Sequence, residues 1–224
     1  GAEFGIGVQG KGATLKMNGG VVVADDNAAI GGNGTEGDDY GDTSISISGG
    51  TVIGRIEADG YIACGIYHPQ RGKLSIAGGT VYADGGVGIL MRGGTLEMTD
   101  GAVIASGTAS GKVGDSAIVQ NCYGVHIDGA SGYYDGANSK ATVSGGLVEA
   151  DAGVPALNLA APGTMTVRGG TFSSDVTAYL ETGRIVTENA DGMYVVENDQ
   201  VATVTKPNGT SVMYDTLSTA VIKA

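Results

Sequence analysis

Lys73-Leu74-Ser75-Ile76-Ala77-Gly78-Gly79-Thr80-Val81-Tyr82 is one copy of a phrase that recurs along this chain: an alternating β-prone run, a glycine pair, then a β-branched run. Earlier copies are Thr14-Leu15-Lys16-Met17-Asn18-Gly19-Gly20-Val21-Val22-Val23 and Ser44-Ile45-Ser46-Ile47-Ser48-Gly49-Gly50-Thr51-Val52-Ile53. Later ones are Thr95-Leu96-Glu97-Met98-Thr99-Asp100-Gly101-Ala102-Val103-Ile104, with Asp-Gly for the glycine pair, Ala141-Thr142-Val143-Ser144-Gly145-Gly146-Leu147-Val148-Glu149-Ala150 and Thr164-Met165-Thr166-Val167-Arg168-Gly169-Gly170-Thr171-Phe172-Ser173. A unit this short cannot bury its own apolar face, so it must stack on its neighbours.

A third piece of small and apolar residues recurs between the copies: Ala28-Ala29-Ile30-Gly31, Ala63-Cys64-Gly65-Ile66-Tyr67, Val87-Gly88-Ile89-Leu90-Met91, Ala117-Ile118-Val119-Gln120-Asn121 and Pro155-Ala156-Leu157-Asn158-Leu159. Three short strands per turn predict an all-β fold, a right-handed parallel β-helix of six to seven rungs spaced by about 4.8 Å. Leu15, Met17, Ile45, Ile47, Leu74, Ile76, Leu96 and Met98 are expected inside, and Lys16, Ser46, Ser75 and Glu97 outside. An antiparallel sandwich is the alternative, disfavoured because the whole phrase repeats and not only hairpins.

Composition agrees. The 42 glycines among 224 residues are well over the usual share of about 7% and mark tight corners. Aromatic residues are few, so the expected core is a narrow aliphatic one. A formal charge of −12 without any basic run argues against nucleic acid and anionic membrane surfaces. No apolar run reaches the roughly 18 residues of a membrane helix, so no membrane insertion is expected, and no charged-then-apolar leader precedes the first repeat. Residues 1–12 read as the end of a preceding turn, which predicts a piece of a longer protein. Two cysteines, Cys64 and Cys122, do not make a disulfide framework.

Residues 1–175 are assigned to the repeats. Insertions at 31–43, 106–115 and 128–139 are rich in Gly, Ser, Asp or Asn and read as surface loops. Residues 176–205 are expected to form a small cap of one helical turn and short antiparallel strands, with Ser174 or Asp175 as N-cap. Residues 206–224 read as a strand and a short helix, a tail or the start of a following module.

Ala29-Ile30-Gly31-Gly32-Asn33-Gly34, followed by Ile45-Ser46-Ile47-Ser48-Gly49-Gly50-Thr51-Val52, resembles the glycine-rich β-helical repeats of adhesin-like surface proteins from gut Gram-positive bacteria. Gly169-Gly170-Thr171-Phe172-Ser173-Ser174-Asp175-Val176-Thr177-Ala178-Tyr179-Leu180, with Glu188-Asn189-Ala190-Asp191-Gly192-Met193-Tyr194-Val195-Val196, is similar to the terminator that closes such modules. The resemblance covers most of residues 10–197. It implies a non-catalytic, extracellular structural or adhesive module at the cell surface, with host or dietary glycans or host surface proteins as partners. The fold also resembles that of pectate lyases, from which no catalytic residue is carried over.

Chemistry-bearing residues are sparse. Glu36, Asp38, Asp39 and Asp42 offer oxygen ligands in one acidic segment that suits calcium, although the spacing is not that of an EF-hand and a solvated turn is the plainer reading. Asp25-Asp26-Asn27 reads as turn chemistry. Cys64/His68 and Cys122/His126 share a Cys-x3-His spacing, but four residues of extended strand separate the side chains by about 13 Å, which disfavours zinc. With Val87–Met91 between them the cysteines stand about 10 Å apart, too far for a disulfide. Tyr133, Tyr134 and Asp135 are the best local match to a carbohydrate-binding site, the alternative function, and Tyr61, Tyr67 and Tyr82 form a second cluster if their rungs align; tyrosine as cover for aliphatic surface is the plainer reading. For a polysaccharide lyase or hydrolase the candidates Arg55, Glu57, Asp59, Arg71, Asp84 and Arg92 show no register that gathers them, and a Ser-His-Asp site is equally unsupported, so no catalytic residue is assigned.

Overall fold

The computed structural model describes residues 4–32, 42–55, 64–107, 121–128, 139–199 and 202–214. Among them the chain is all-β and dominated by two parallel sheets. In chain order the strands are β1 (Ile6–Gly7), β2 (Thr14–Asp25), β3 (Ile30–Gly31), β4 (Thr43–Arg55), β5 (Cys64–His68), β6 (Gly72–Asp84), β7 (Val87–Met91), β8 (Thr95–Ser106), β9 (Val125–Ile127), β10 (Lys140–Val143), β11 (Leu147–Glu149), β12 (Leu157–Leu159), β13 (Thr164–Val167), β14 (Gly170–Phe172), β15 (Arg184–Glu188), β16 (Tyr194–Asn198), β17 (Ala202–Thr205) and β18 (Ser211–Tyr214).

The short strands make one sheet, β1-β3-β5-β7-β9-β12, all parallel. The repeated phrases make the other. In β2, β4, β6 and β8 the runs before and after the glycines are one continuous strand with a register shift at the glycines, where the sequence suggested two; the fifth and sixth copies are split, into β10 with β11 and β13 with β14. The fifth member of the short-strand sheet is β9, and not Ala117-Ile118-Val119-Gln120-Asn121, of which only Asn121 is described.

Registration of the copies creates columns of like residues. Leu15, Ile45, Leu74, Leu96, Ala141 and Met165 form one, and Met17, Ile47, Ile76, Met98, Val143 and Val167 the next. A third runs from Val22 through Val52, Val81, Val103 and Val148 to Phe172. Ile6, Ile30, Ile66, Ile89, Val125 and Leu157 face them from the short-strand sheet, and the buried members of all four columns belong to one cluster. Burying each such side chain contributes about 1.5–3 kcal/mol. β5 and β7 are buried on both faces, and a second small cluster joins Ala28, Cys64, Tyr67, Val87 and Leu90.

Both glycines of a pair admit the neighbouring strand, a Cβ on Gly79 meeting the Gly50 carbonyl oxygen at 2.7 Å, and the second also meets a conformational need. A Cβ on Gly78 would meet the Ser48 carbonyl oxygen at 2.5 Å, so the first position keeps the neighbouring strand close. The second position has positive φ in every copy, for example +76° at Gly79, a conformation that disfavours L side chains.

Past β14, β16 pairs antiparallel with it and β15 pairs antiparallel with β16. A short 3-10 helix, Thr177–Tyr179, precedes them, and Asp175 Oδ1 accepts hydrogen bonds from the Thr177 N–H and hydroxyl. Ser174 instead accepts from the Ala156 N–H. β17, read from sequence with the cap strands, pairs with β18 in a separate two-stranded sheet. Residues 216–223, expected to be helical, lie outside the described residues.

Candidate functional site

The positions singled out from sequence fare unevenly. Tyr133, Tyr134, Asp135, Glu36, Asp38, Asp39, Tyr61, Glu57 and Asp59 lie outside the described residues. Asp42 is exposed with φ +58°, a turn conformation that Asp tolerates. Asp26 has the same backbone, and Asn27 Oδ1 accepts the Ala28 N–H at 2.8 Å, as expected of a polar turn. Tyr67 is buried on β5 whereas Tyr82 stands on β6, its hydroxyl 3.1 Å from Ser106 Oγ; the two do not share a surface cluster.

Arg55 and Asp84 correct one expectation, because register does bring them together: Asp25, Arg55, Asp84 and Ser106 occupy one row at the ends of β2, β4, β6 and β8. Arg55 lies 3.7 Å from the Asp25 carboxylate, and Asp84 accepts the Ser106 hydroxyl at 3.0 Å. The charged members of the row are exposed, two carboxylates to one guanidinium, a surface ladder worth at most about 1 kcal/mol per pair.

β7 separates the strands near the two cysteines, and both thiols are free and buried. Burial raises Cys64, and burial together with the nearby Asp151 carboxylate pushes Cys122 up to about 11, so neither thiol is activated as a nucleophile. Among the described residues no three of His, Cys, Asp and Glu gather as metal ligands.

Buried polar groups collect at and just past the ends of β5, β7 and β9. Arg92 Nε lies 2.9 Å from Asp128 Oδ2, the two side chains only 8% and 14% exposed. His126 is buried beside them, its Nδ1 accepting from Asn158 Nδ2 at 2.9 Å and its ring tilted against Tyr123. His68 Nδ1 donates to the Gly93 carbonyl at 3.1 Å, and its buried Nε2 has no hydrogen-bond partner among the described residues. Sequence reading named His68, His126 and Arg92 separately but missed Asp128 and the grouping, since strands buried on both faces carry no alternation from which to align their polar residues.

Burial holds the His68 imidazole down to about 4, the Gly93 contact opposing this only in part. The unfolded chain takes up a proton at His68 below about pH 6.5, and the native state does not until about pH 4. Stability contributed by the neutral ring is therefore complete above pH 6.5 and lost as the pH falls toward 4, amounting to about 2 kcal/mol at pH 5. Urea midpoints for the protein and for His68→Gln between pH 5 and 7.5 check this. The His68→Gln profile is expected to be flatter over that range, and parallel profiles would refute the assignment.

In the runs before the glycines the outward side chains of the large sheet are mostly polar, whereas past the glycines Val21 and Val23 stand exposed. Lys16, Ser46, Ser75, Glu97, Thr142 and Thr166 form one row. Where this face reaches the glycine bend, Glu97, Met98, Thr99, Thr142, Ser144 and Arg168 line a cavity of about 290 Å³. Thr99, Ser144 and Arg168 each directly precede the glycine position of their copy, so the stacked phrase itself lines them up. The charged groups at the cavity are balanced from outside it: Lys73 Nζ lies 2.5 Å from Glu97, and Arg168 Nε donates to Glu181 Oε1 at 2.7 Å.

Among the described residues no helix is long and apolar enough to cross a membrane. No protein-family model matches the chain, and neither a curated protein nor a solved structure matches it.

Proposed function

We propose that this chain is a right-handed parallel β-helix of six to seven rungs, closed at residues 176–205, that serves as a non-catalytic structural and adhesive module of a bacterial cell-surface protein. The observation that carries the reading is the set of in-register aliphatic columns, such as Ile45-Leu74-Leu96, running the length of the stack. Such a core adds about 4.8 Å of length per rung and builds a rod with a repeating outer face. The resemblance of the glycine-rich phrase and its terminator to adhesin-like repeats supports the extracellular setting. Host or dietary glycans and host surface proteins are the partners proposed, with calcium at the Asp42 segment. A carbohydrate-binding role is the second reading, favoured by the polar cavity between Glu97 and Arg168.

Beads coated with the folded chain test the first reading on mucin layers and epithelial monolayers. Retention above uncoated beads, with no new reducing or unsaturated sugar ends released from pectin, xylan or mucin, is the expected outcome. Turnover of any of these polysaccharides by the purified chain would overturn it in favour of a polysaccharide enzyme.

A further inference from the structure

We propose that the cavity at the glycine bend is a binding site for vicinal hydroxyl groups of a neutral glycan, with Glu97, Thr99, Thr142, Ser144 and Arg168 as its polar contacts; this rests on the carbohydrate-binding reading. The volume of about 290 Å³ lies near the lower bound of ligand pockets and has room for a monosaccharide unit of a longer chain.

The donor and acceptor inventory selects the chemistry. The Thr99, Thr142 and Ser144 hydroxyls each donate and accept, Glu97 only accepts, and the guanidinium of Arg168 only donates. A ligand that satisfies all of them must present donors and acceptors on adjacent atoms, which is what a sugar diol does. A polyanion is disfavoured twice. Arg168 is already neutralised by Glu181, and the chain carries a formal charge of −12. A cation would gain little from Glu97, whose charge Lys73 meets. A peptide would need an apolar slot for side chains, and among the described lining residues only Met98 is apolar, its side chain buried in the core.

The geometry is pre-organised by the fold. Glu97 and Thr142 are register partners on β8 and β10, and Thr142 pairs with Thr166 on β13. Their spacing is the roughly 4.8 Å of the stack, comparable to the width of a pyranose ring. Arg168 Nε is held by Glu181, which fixes the guanidinium and leaves its terminal nitrogens as donors. Among the described residues no aromatic side chain lines the cavity, so affinity rests on hydrogen bonds and is weak for one unit. Multiple copies on a cell surface would raise it through avidity.

The test is calorimetric titration of neutral cello-, manno-, xylo- and galacto-tetraose, with tetragalacturonate alongside, into the unaltered protein, Glu97→Gln with Thr142→Val, and Tyr133→Ala with Tyr134→Ala. At least one neutral tetraose is expected to bind better than the galacturonate and to weaken about tenfold or more in the Glu97→Gln, Thr142→Val protein, as loss of charge-assisted and hydroxyl contacts predicts. The tyrosine variant is expected to bind as the unaltered protein does. Loss of binding in the tyrosine variant alone would overturn the cavity site while sparing the carbohydrate reading. No binding of any tetraose would overturn both and leave the rod. Should the cavity variant fail to fold, amide shift mapping on the unaltered protein decides: saturating tetraose is expected to move Thr99, Thr142 and Ser144, and shifts confined elsewhere would refute the site.

Discussion

Gly79→Val is expected to destabilise the protein by about 3–5 kcal/mol, whereas Gly20→Val, at the same place in its phrase, is expected to cost about 1–2 kcal/mol. Both glycines have nearly the same backbone, φ +76° and +82°, so the left-handed conformation penalises a side chain equally at both. They differ in what a Cβ would meet. At Gly79 the Gly50 carbonyl oxygen lies 2.7 Å away and the Gly49 carbonyl carbon 2.9 Å away, whereas at Gly20 nothing among the described residues lies within 4 Å. Backbone of a hydrogen-bonded strand cannot swing aside as a flexible side chain can, so β6 would have to move off β4, whose pairing through Ile45-Leu74 and Val52-Val81 holds the core columns in line. The predicted loss is a large part of the roughly 5–15 kcal/mol that stabilises a typical domain. Urea denaturation of the two variants checks the contrast. Equal losses would mean that close strand approach is not what the second glycine secures.

The same pair explains how much was legible in the sequence. Repetition of the phrase gave the register directly, because aligning Ile45 with Leu74 and Leu96 is the pairing that puts every apolar residue on one side. What the glycines do could not be divided from sequence alone: two glycines read as a corner between two strands, and the chain instead runs through as one bent strand in β2, β4, β6 and β8. The fourth copy carries a signal of this, since Asp100 replaces the first glycine, its carboxylate accepting the Gly101 N–H, while Gly101 keeps the positive φ.

The short-strand sheet was harder to read. Val125-His126-Ile127 is the strand that continues it, yet Ala117-Ile118-Val119-Gln120-Asn121 is the better apolar run. Burial on both faces removes the period-two pattern that would have arbitrated. The polar cavity shows the opposite case. Glu97, Thr142 and the residues before each glycine pair stand at fixed offsets in the phrase, and each looks like an ordinary exposed residue until stacking sets them side by side.

Asp128→Asn is expected to cost about 3–5 kcal/mol, the usual result of removing one partner from a buried ion pair. Arg92 and Asp128 lie just beyond the ends of β7 and β9; the Arg92 N–H donates to the His68 carbonyl and the Asp128 N–H to the Met91 carbonyl, so the backbone fixes where both side chains start. With the two side chains almost fully enclosed and 2.9 Å apart, removing the carboxylate strands a guanidinium charge in a poorly solvated site. His126 reports the change independently. Burial lowers its pKa, Asp128 counteracts this and Arg92 adds to it, so losing the carboxylate removes the counteracting charge and leaves the one that depresses it. The His126 titration, followed by imidazole proton shifts, is therefore expected to move to lower pH in Asp128→Asn. A purely apolar replacement, Arg92→Met with Asp128→Leu, is expected to recover most of the stability, because paired burial of charge is seldom better than well-packed hydrocarbon. If Asp128→Asn melted as the unaltered protein does and His126 did not shift, the pair would be a bystander. If the double replacement were as unstable as the single one, the pair's role would be to fix the ends of β7 and β9 through hydrogen bonds that no hydrocarbon supplies.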